Sequence, residues 1–313
     1  MKQTVSLVNA KHKKGYWVKR IRESLPWWIL LLPGLTYLLI FGYGPMYGIL
    51  MAFQNYRPRR GISGSEWVGL EHFIRFINYP YFWRLIRNTL SLTLYSIAVF
   101  PLPIIFALLL NEIKSVRFKK VTQMITYMPH FLSEVVVCSI VILFLDRTSG
   151  PINNLIALFG GTRTNFMGIP EAFSTIFTFS GVWQGLGWSA ILYISALSSI
   201  SQEEVEAARI DGASRFQVIR HINIPGILPT IMITFIMKLG SIMSVGYSKV
   251  LLLQNDMNME TSNVISLYTY EMGLVGGQYS YTTAIGLFNN VINIIILLAA
   301  DRVSKKLTDT GLF

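Results

Sequence analysis

Cysteine occurs once in this chain, at Cys138, which excludes a disulfide framework and any cysteine-rich metal site and leaves that residue most simply as a small apolar core side chain. Charge is scarce as well: Asp, Glu, Lys and Arg together make up 14% of the 313 residues, and only 16 of them are acids. The four histidines, His12, His72, His130 and His221, are scattered without an H-E-x-x-H or other paired spacing, so each reads as structural or solvent-facing rather than metal-bound. No G-x-x-x-x-G-K-[ST] phosphate loop is present, and the chain is therefore not itself an ATPase. No nucleophile with an adjacent base, no internal repeat and no low-complexity segment is visible.

What the chain has in quantity is apolar surface. Hydrophobic types reach 52%, with 19 Phe, 15 Tyr and 12 Met, a balance that favours an integral membrane protein over a soluble two-domain one. The net charge of +11 raises nucleic acid as a partner, but the cations cluster at the ends of apolar runs, which is how membrane proteins use them, so no nucleic-acid partner is expected.

With about 20 apolar residues needed to cross a bilayer, six spans are expected near 27–51, 88–110, 121–145, 173–197, 228–253 and 282–300. The first begins at interfacial Trp27 and Trp28 and is too long, and too poor in small residues at a cleavage position, for a secretory signal; it reads as a retained helix. Its Pro33 and Pro45 are tolerable where neighbours satisfy the freed carbonyls. Lys238 and Lys249 fall inside the fifth span and blur its limits. With the N-terminus inside, the inner segments hold 17 Lys and Arg against 8 outside, so both termini are expected in the cytoplasm. Residues 1–26 read as a basic cytoplasmic tail, flexible over 1–20, that touches anionic lipid, and 27–313 as the membrane domain. Asp146-Arg147 reads as a local charge pair, and "GPINNLIALFGG" as a short outer element bounded by glycines.

Between spans four and five lies a polar stretch, "EVEAARIDGASRFQVIRHINIP", residues 204–225. Ser201 with Glu204 fits a capping box, "EEVEAAR" continues with good helix formers, and Gly212 offers the positive φ that ends a helix in a sharp turn. Ser214 with Gln217 repeats the cap signature, and Pro225 and Pro229 are expected to close the second helix. Val205 and Ala208 fall on one face, with Phe216 and Ile219 available on the second element. Such a helical pair either enters a groove on another protein or lies on the membrane surface as an amphipathic linker.

The spacing within it, Glu206-Ala207-Ala208, three residues, Gly212, nine residues, then Ile222-Asn223-Ile224-Pro225, resembles the EAA loop of permease subunits of binding-protein-dependent ABC importers; only Ile224 departs, standing where the pattern has Leu. "LLPGLTYLLIFGYGPMYGILMAFQNY", "GSEWVGLEHF", "YFWRLIRNTL", "QYSYTTAIGLFNNVIN" and "LTDTGLF" are similar to the carbohydrate-uptake branch, in particular the complex-polysaccharide and oligosaccharide type. The likeness covers the chain after about residue 25. It implies an all-helical permease of the bacterial cytoplasmic membrane that pairs with a second homologous permease, a cytoplasmic ATPase dimer and an extracytoplasmic solute-binding protein to move a saccharide by alternating access. ATP and Mg would sit on the ATPase, with no cofactor bound by this chain and no catalytic residue. Residues 201–225 would form the coupling loop, with Glu206, Ala207, Ala208, Gly212, Ile222 and Pro225 as its ATPase-coupling residues. Two places depart from the branch: Ser248-Lys249 stand where an acid is common, and Tyr270-Glu271 where a base is common, so Lys249 and Glu271 are expected to pair with exchanged polarity.

Sugars are bound by aromatic faces and by amides, which makes Gln184, Trp188, Tyr193, Tyr247, Asn289 and Asn290 the pathway candidates, with Trp183 beside them; for the aromatics, ordinary helix packing is the competing reading. Lys238 would snorkel, pair with a partner subunit or face the cavity. The rival function is an ion-coupled secondary sugar transporter, which would carry coupling acids within its spans and repeated halves; Glu134 is the one acid clearly inside a span.

Overall fold

The computed structural model describes residues 14–308, with side chains described for 24–306. Almost everything described is helix; the one sheet is a two-residue pairing, β1 (Gln54–Asn55) antiparallel to β2 (Glu66–Trp67). Among the described residues, four helices are long and apolar enough to cross a membrane, and five if one bent pair counts as a single span.

Helix α1 (Lys14–Tyr37) passes through a wide-turn stretch, Leu38–Tyr43, into a tighter 3-10 stretch, Gly44–Phe53. Pro26 and Pro33 lie inside α1, and Pro45 opens the 3-10 stretch where its missing N–H costs nothing. The basic segment is thus helical from Lys14 onward, and only the part before it lies outside the described residues. Every side chain from 25 to 47 is exposed, a run of Leu, Ile, Phe, Trp and Tyr that no water-facing helix would carry.

After the short α2 (Glu71–Ile77), helices α3 (Phe82–Ala98) and α4 (Pro101–Asn111) form a second span, jointed where Pro101 and Pro103 enter. The third apolar run does not continue straight. Helix α5 (Val116–Tyr127) and the 3-10 turn Met128–Phe131 meet α6 (Glu134–Leu145) at 104°, which corrects the expectation of one unbroken span over 121–145. Pro129 withdraws an N–H, Leu132 is extended, and the Ser133 hydroxyl accepts from the Val136 N–H to start a new helix. The short α7 (Pro151–Leu158) follows Gly150, and Gly160 takes φ +80°, matching the glycine-bounded outer element.

Helix α8 (Ala172–Ser198) occupies the fourth expected span. It is long enough, but its Ser, Thr, Gly and Gln keep it below the apolarity of the four long spans; it is the helix around which others pack. Gly187 brings it against the end of α5: a Cβ there would stand 2.4 Å from the Thr126 carbonyl oxygen.

The polar stretch folds as α9 (Gln202–Ile210), α10 (Arg215–Val218), a wide turn Ile219–Asn223 and α11 (Ile224–Leu239). Two expectations fail here. Pro225 and Pro229 do not close the second helix: Pro225 sits in the first turn of α11, the wide turn before it absorbs the missing donor, and the helix runs on. The fifth span therefore lies over Arg215–Leu239 rather than 228–253, because Gly240 ends α11 and α12 (Tyr247–Leu253) is a separate element. Two short helices, α13 (Met259–Ser262) and α14 (Ile265–Tyr270), lead to the final long helix α15 (Tyr279–Thr308).

Three apolar clusters hold these pieces. Phe76, Phe82, Leu85, Tyr268, Tyr281 and Ile285 join α2, α3, α14 and α15; Leu92, Cys138, Phe173, Val250 and Leu267 join α3, α6, α8, α12 and α14; Ile104, Ala107, Ala190, Leu197 and Ile227 join α4, α8 and α11. Cys138, 1% exposed, is the small core residue expected.

Candidate functional site

Two features stand out, a cavity inside the bundle and a hairpin at its end. The cavity, about 560 Å³, lies between α8, the α3–α4 joint, α11 and α12. Along α8 its wall recurs at helical spacing through Thr178, Gly181, Gly185, Trp188 and Leu192, so one face of that helix is given to it. Trp188 lies flat on His130, with ring centroids 4.3 Å apart and planes 7° from parallel, while Phe131 meets it edge-on. The Tyr193 and Thr234 hydroxyls, 2.9 Å apart, join α8 to α11 at the wall.

Two lysines line the same space. Lys249 is 6% exposed; its ammonium donates to the Phe177 carbonyl oxygen at 2.8 Å and lies 4.7 Å from that residue's ring centroid. Gly181 leaves room for it, since a Cβ there would come within 3.2 Å of Nζ. The neighbouring Ser248 hydroxyl donates to the Glu134 carboxylate in the first turn of α6, where the helix dipole favours a negative group. The expected Lys249–Glu271 pair does not form: Lys249 turns inward to a backbone acceptor, and Glu271 is exposed at the far end of α14. Lys238, in the last turn of α11, is half-buried, lies 5.9 Å from the Phe100 ring centroid, and has no hydrogen-bond or ion-pair partner among the described residues.

The hairpin is built by its caps. Gly212 takes φ +84°, the Ala213 N–H reaches the Ala208 carbonyl at 2.9 Å and the Gly212 N–H reaches Arg209 at 3.1 Å, which is the Schellman pattern that closes α9. Ser214 and Gln217 then form a full capping box, with bonds of 3.4 and 2.7 Å. The first expected box is absent, since the Ser201 side chain makes no cap bond; Glu203 and Glu204 act on the α9 N-terminus through their charge alone. Val205 and Val218 are buried on the inner side, Ala208 and Ile222 are half-buried, and Glu206, Ala207 and Pro225 are exposed. Ile210 is 86% exposed and Phe216 69%. A cleft of about 510 Å³, lined by Lys114, Arg209, Arg215 and Asn223, lies between the hairpin and the end of α4.

The profile of the family described as binding-protein-dependent transport system inner membrane component matches residues 99–309. The chain is 39% identical, over 98% of its length and 96% of the relative's, to the polygalacturonan/rhamnogalacturonan transport system permease protein YteP of Bacillus subtilis, and 40% identical to protein LplB of the same organism, over 95% and 94%. Among solved structures, a chain of the bacterial alginate ABC transporter in complex with alginate pentasaccharide-bound periplasmic protein superposes with TM-score 0.86 at 38% identity, over 94% of this chain and 99% of that one. This chain belongs to that permease family. It is a multi-pass inner-membrane transport component with the ABC permease fold.

Of the pathway residues expected in the permease, Trp188 and Tyr193 line the cavity. Gln184 does not: its amide donates to Leu132 O at 3.2 Å and pins the break between α5 and α6. Tyr247 stacks on Tyr270 at 4.5 Å beside a separate groove of about 280 Å³. Asn289, whose Oδ1 is buried without a partner, and Asn290, which is exposed, both lie on α15 away from the cavity. Trp183 faces a different, apolar groove against α6 and α7. The sequence pointed Lys249 towards Glu271 and gave no notice of Thr178 and Thr234; the signal for this face was Gly181 and Gly185 at helical spacing in α8, which leave the helix bare where it lines the cavity. Asp146 does not pair with Arg147 either, because its Oδ1 is taken up by the N–H and hydroxyl groups of Thr148 and Ser149.

Proposed function

We propose that this permease, with a second homologous permease, forms the translocation path of an ATP-driven importer for oligosaccharides or polysaccharide fragments. The saccharide arrives on an extracytoplasmic solute-binding protein, and a cytoplasmic ATPase dimer, carrying ATP and Mg, drives alternating access. Support for the substrate class comes from the relatives, whose names speak of polygalacturonan/rhamnogalacturonan and of alginate. In this reading six spans are made by α1 with its extension, α3–α4, the bent α5–α6 pair, α8, α11–α12 and α15; residues 27–313 form one permease domain behind a basic segment, 1–26, and both termini are cytoplasmic.

The observation that carries the proposal is the hairpin around Gly212. Its inner side is anchored by Val205 and Val218 while Ile210 and Phe216 project bare, and its second helix is continuous with α11, a wall of the cavity. A partner that grips residues 201–225 therefore pulls directly on the span that carries Thr234 and Lys238. Glu206, Ala207 and Ala208 present the gripping surface, Gly212 sets its angle, and Ile222 and Pro225 join it to the span.

The test is to purify the complex of this chain with its second permease and ATPase and to measure hydrolysis with loaded binding protein, for wild type and Gly212→Val. A β-branched residue at φ +84° is strained. Stimulated hydrolysis that drops at least about tenfold in the variant, with the complex intact, is expected. A chain that purifies alone and moves sugar without ATP overturns the reading.

A further inference from the structure

Two ammonium groups line the 560 Å³ cavity, and among the described residues no carboxylate does. The two are not equivalent. Lys249 is spoken for: it is almost fully buried, bonded to Phe177 O and seated over the Phe177 ring. Lys238 is half-buried and its ammonium has no acceptor among the described residues. A cation at membrane depth is costly unless it meets water or a counter-charge. Here it meets the cavity, whose remaining wall offers the Trp188 ring and the hydroxyls of Ser96, Thr178, Ser189 and Thr234. Hydroxyls exchange hydrogen bonds with a polyhydroxylated ligand and the indole face covers its C–H surface, but neither calls for a cation. An ammonium without a protein acceptor calls for an anionic group on the ligand.

We propose that Lys238 is a specificity-determining residue that reads the carboxylate of a uronic-acid unit, and that the saccharide carried is acidic. This rests on the importer reading above. Lys249 is held by the Phe177 carbonyl with the Glu134 carboxylate close enough to offset its charge, which leaves Lys238 as the cation open to a ligand, and its long unbranched stem lets its point charge follow successive carboxylates as the chain moves through.

The experiment uses the intact importer, purified with its second permease, ATPase and binding protein, in proteoliposomes. Uptake of uronate oligomers of two to six units and of their carboxyl-reduced, neutral counterparts is measured for wild type, Lys238→Gln and Lys238→Arg, with affinity of the binding protein for each sugar determined separately. The expected result is that wild type carries the acidic oligomers, Lys238→Gln slows their uptake at least about tenfold, and Lys238→Arg retains most of it. For any neutral sugar the binding protein accepts, Lys238→Gln should reduce uptake by a smaller factor than for the uronate oligomer of the same length. Equal uptake of uronates by wild type and Lys238→Gln overturns the proposal. So does a Lys238→Gln complex that falls apart in detergent, because the lysine would then be paired to the second permease. If wild type imports neutral oligosaccharides and refuses acidic ones, the charge assignment fails and the importer stands; if no loaded binding protein stimulates hydrolysis, the importer reading itself fails.

Discussion

Asn293 on α15 accepts a hydrogen bond from the Met243 N–H at 3.0 Å, and its amide donates to the Ser244 hydroxyl at the same distance. Both partners lie in the irregular stretch between Gly240 and Gly246, where α11 has ended and α12 has not begun, so the backbone there lacks helical partners of its own. Asn293 is 8% exposed and Met243 3%, which leaves no water to substitute. Asn293→Leu, close in size but without the acceptor, should lower stability by about 1–3 kcal/mol, the cost of stranding a buried donor. Thermal unfolding of the detergent-purified permease complex reads the effect, and an unchanged midpoint would remove Asn293 as the support of this break.

The contact of α8 with α5 is set by an absence of side chain. A Cβ on Gly187 would stand 2.4 Å from Thr126 O and 2.7 Å from the Tyr127 ring, whereas one on Gly185, two residues away, meets nothing within 4 Å. Backbone cannot yield as a flexible side chain can, so Gly187→Ala must push the helices apart at a cost on the order of 1–3 kcal/mol. Gly185→Ala should leave the unfolding midpoint where it was. Equal midpoints for the two variants would mean that α5 does not hold its place against α8.

How far the sequence foretold these relations depends on where the partners are. Gly212 and the Ser214–Gln217 cap were legible because both are local, each acting within a few residues. The apolar runs were legible as helices, since lipid and core demand the same side chains. The bend at Leu132–Ser133 was legible only in part: Pro129 and the Ser133 cap ahead of Glu134 mark where one helix stops and the next starts, but nothing local in "YMPHFLSEVVV" sets the 104° between them. Lys249 was misassigned for a different reason: its acceptor is the main-chain carbonyl of Phe177, 72 positions away, and a backbone atom has no letter in the sequence. Asn289 and Asn290 drew notice as polar residues inside a span, yet the amide that holds the fold together is Asn293, one helical turn further on.

Acid should loosen the loop after α6 in a defined direction. Asp146 Oδ1 accepts from the Ser149 N–H at 2.7 Å, the Thr148 hydroxyl at 2.7 Å, the Ser149 hydroxyl at 2.8 Å and the Thr148 N–H at 3.0 Å. These bonds, the Ser149 amide foremost, hold the carboxyl well below its ordinary pKa of 3.8. A carboxyl whose pKa is depressed by folding stabilises the folded state above its unfolded value, and loses that contribution as pH falls past 3.8 towards the folded one. The next residues open α7, where Asn153, fully buried, donates to the carbonyls of Leu145, Asp146 and Thr164, so a loosened turn disturbs more than itself. Asp146→Ala should therefore unfold at a lower temperature than wild type by a constant margin at neutral pH, a margin that narrows as the pH is taken below about 4. Midpoints measured in a non-ionic detergent across that range decide it: a margin that holds or widens in acid would mean that the Asp146 charge contributes nothing to the turn.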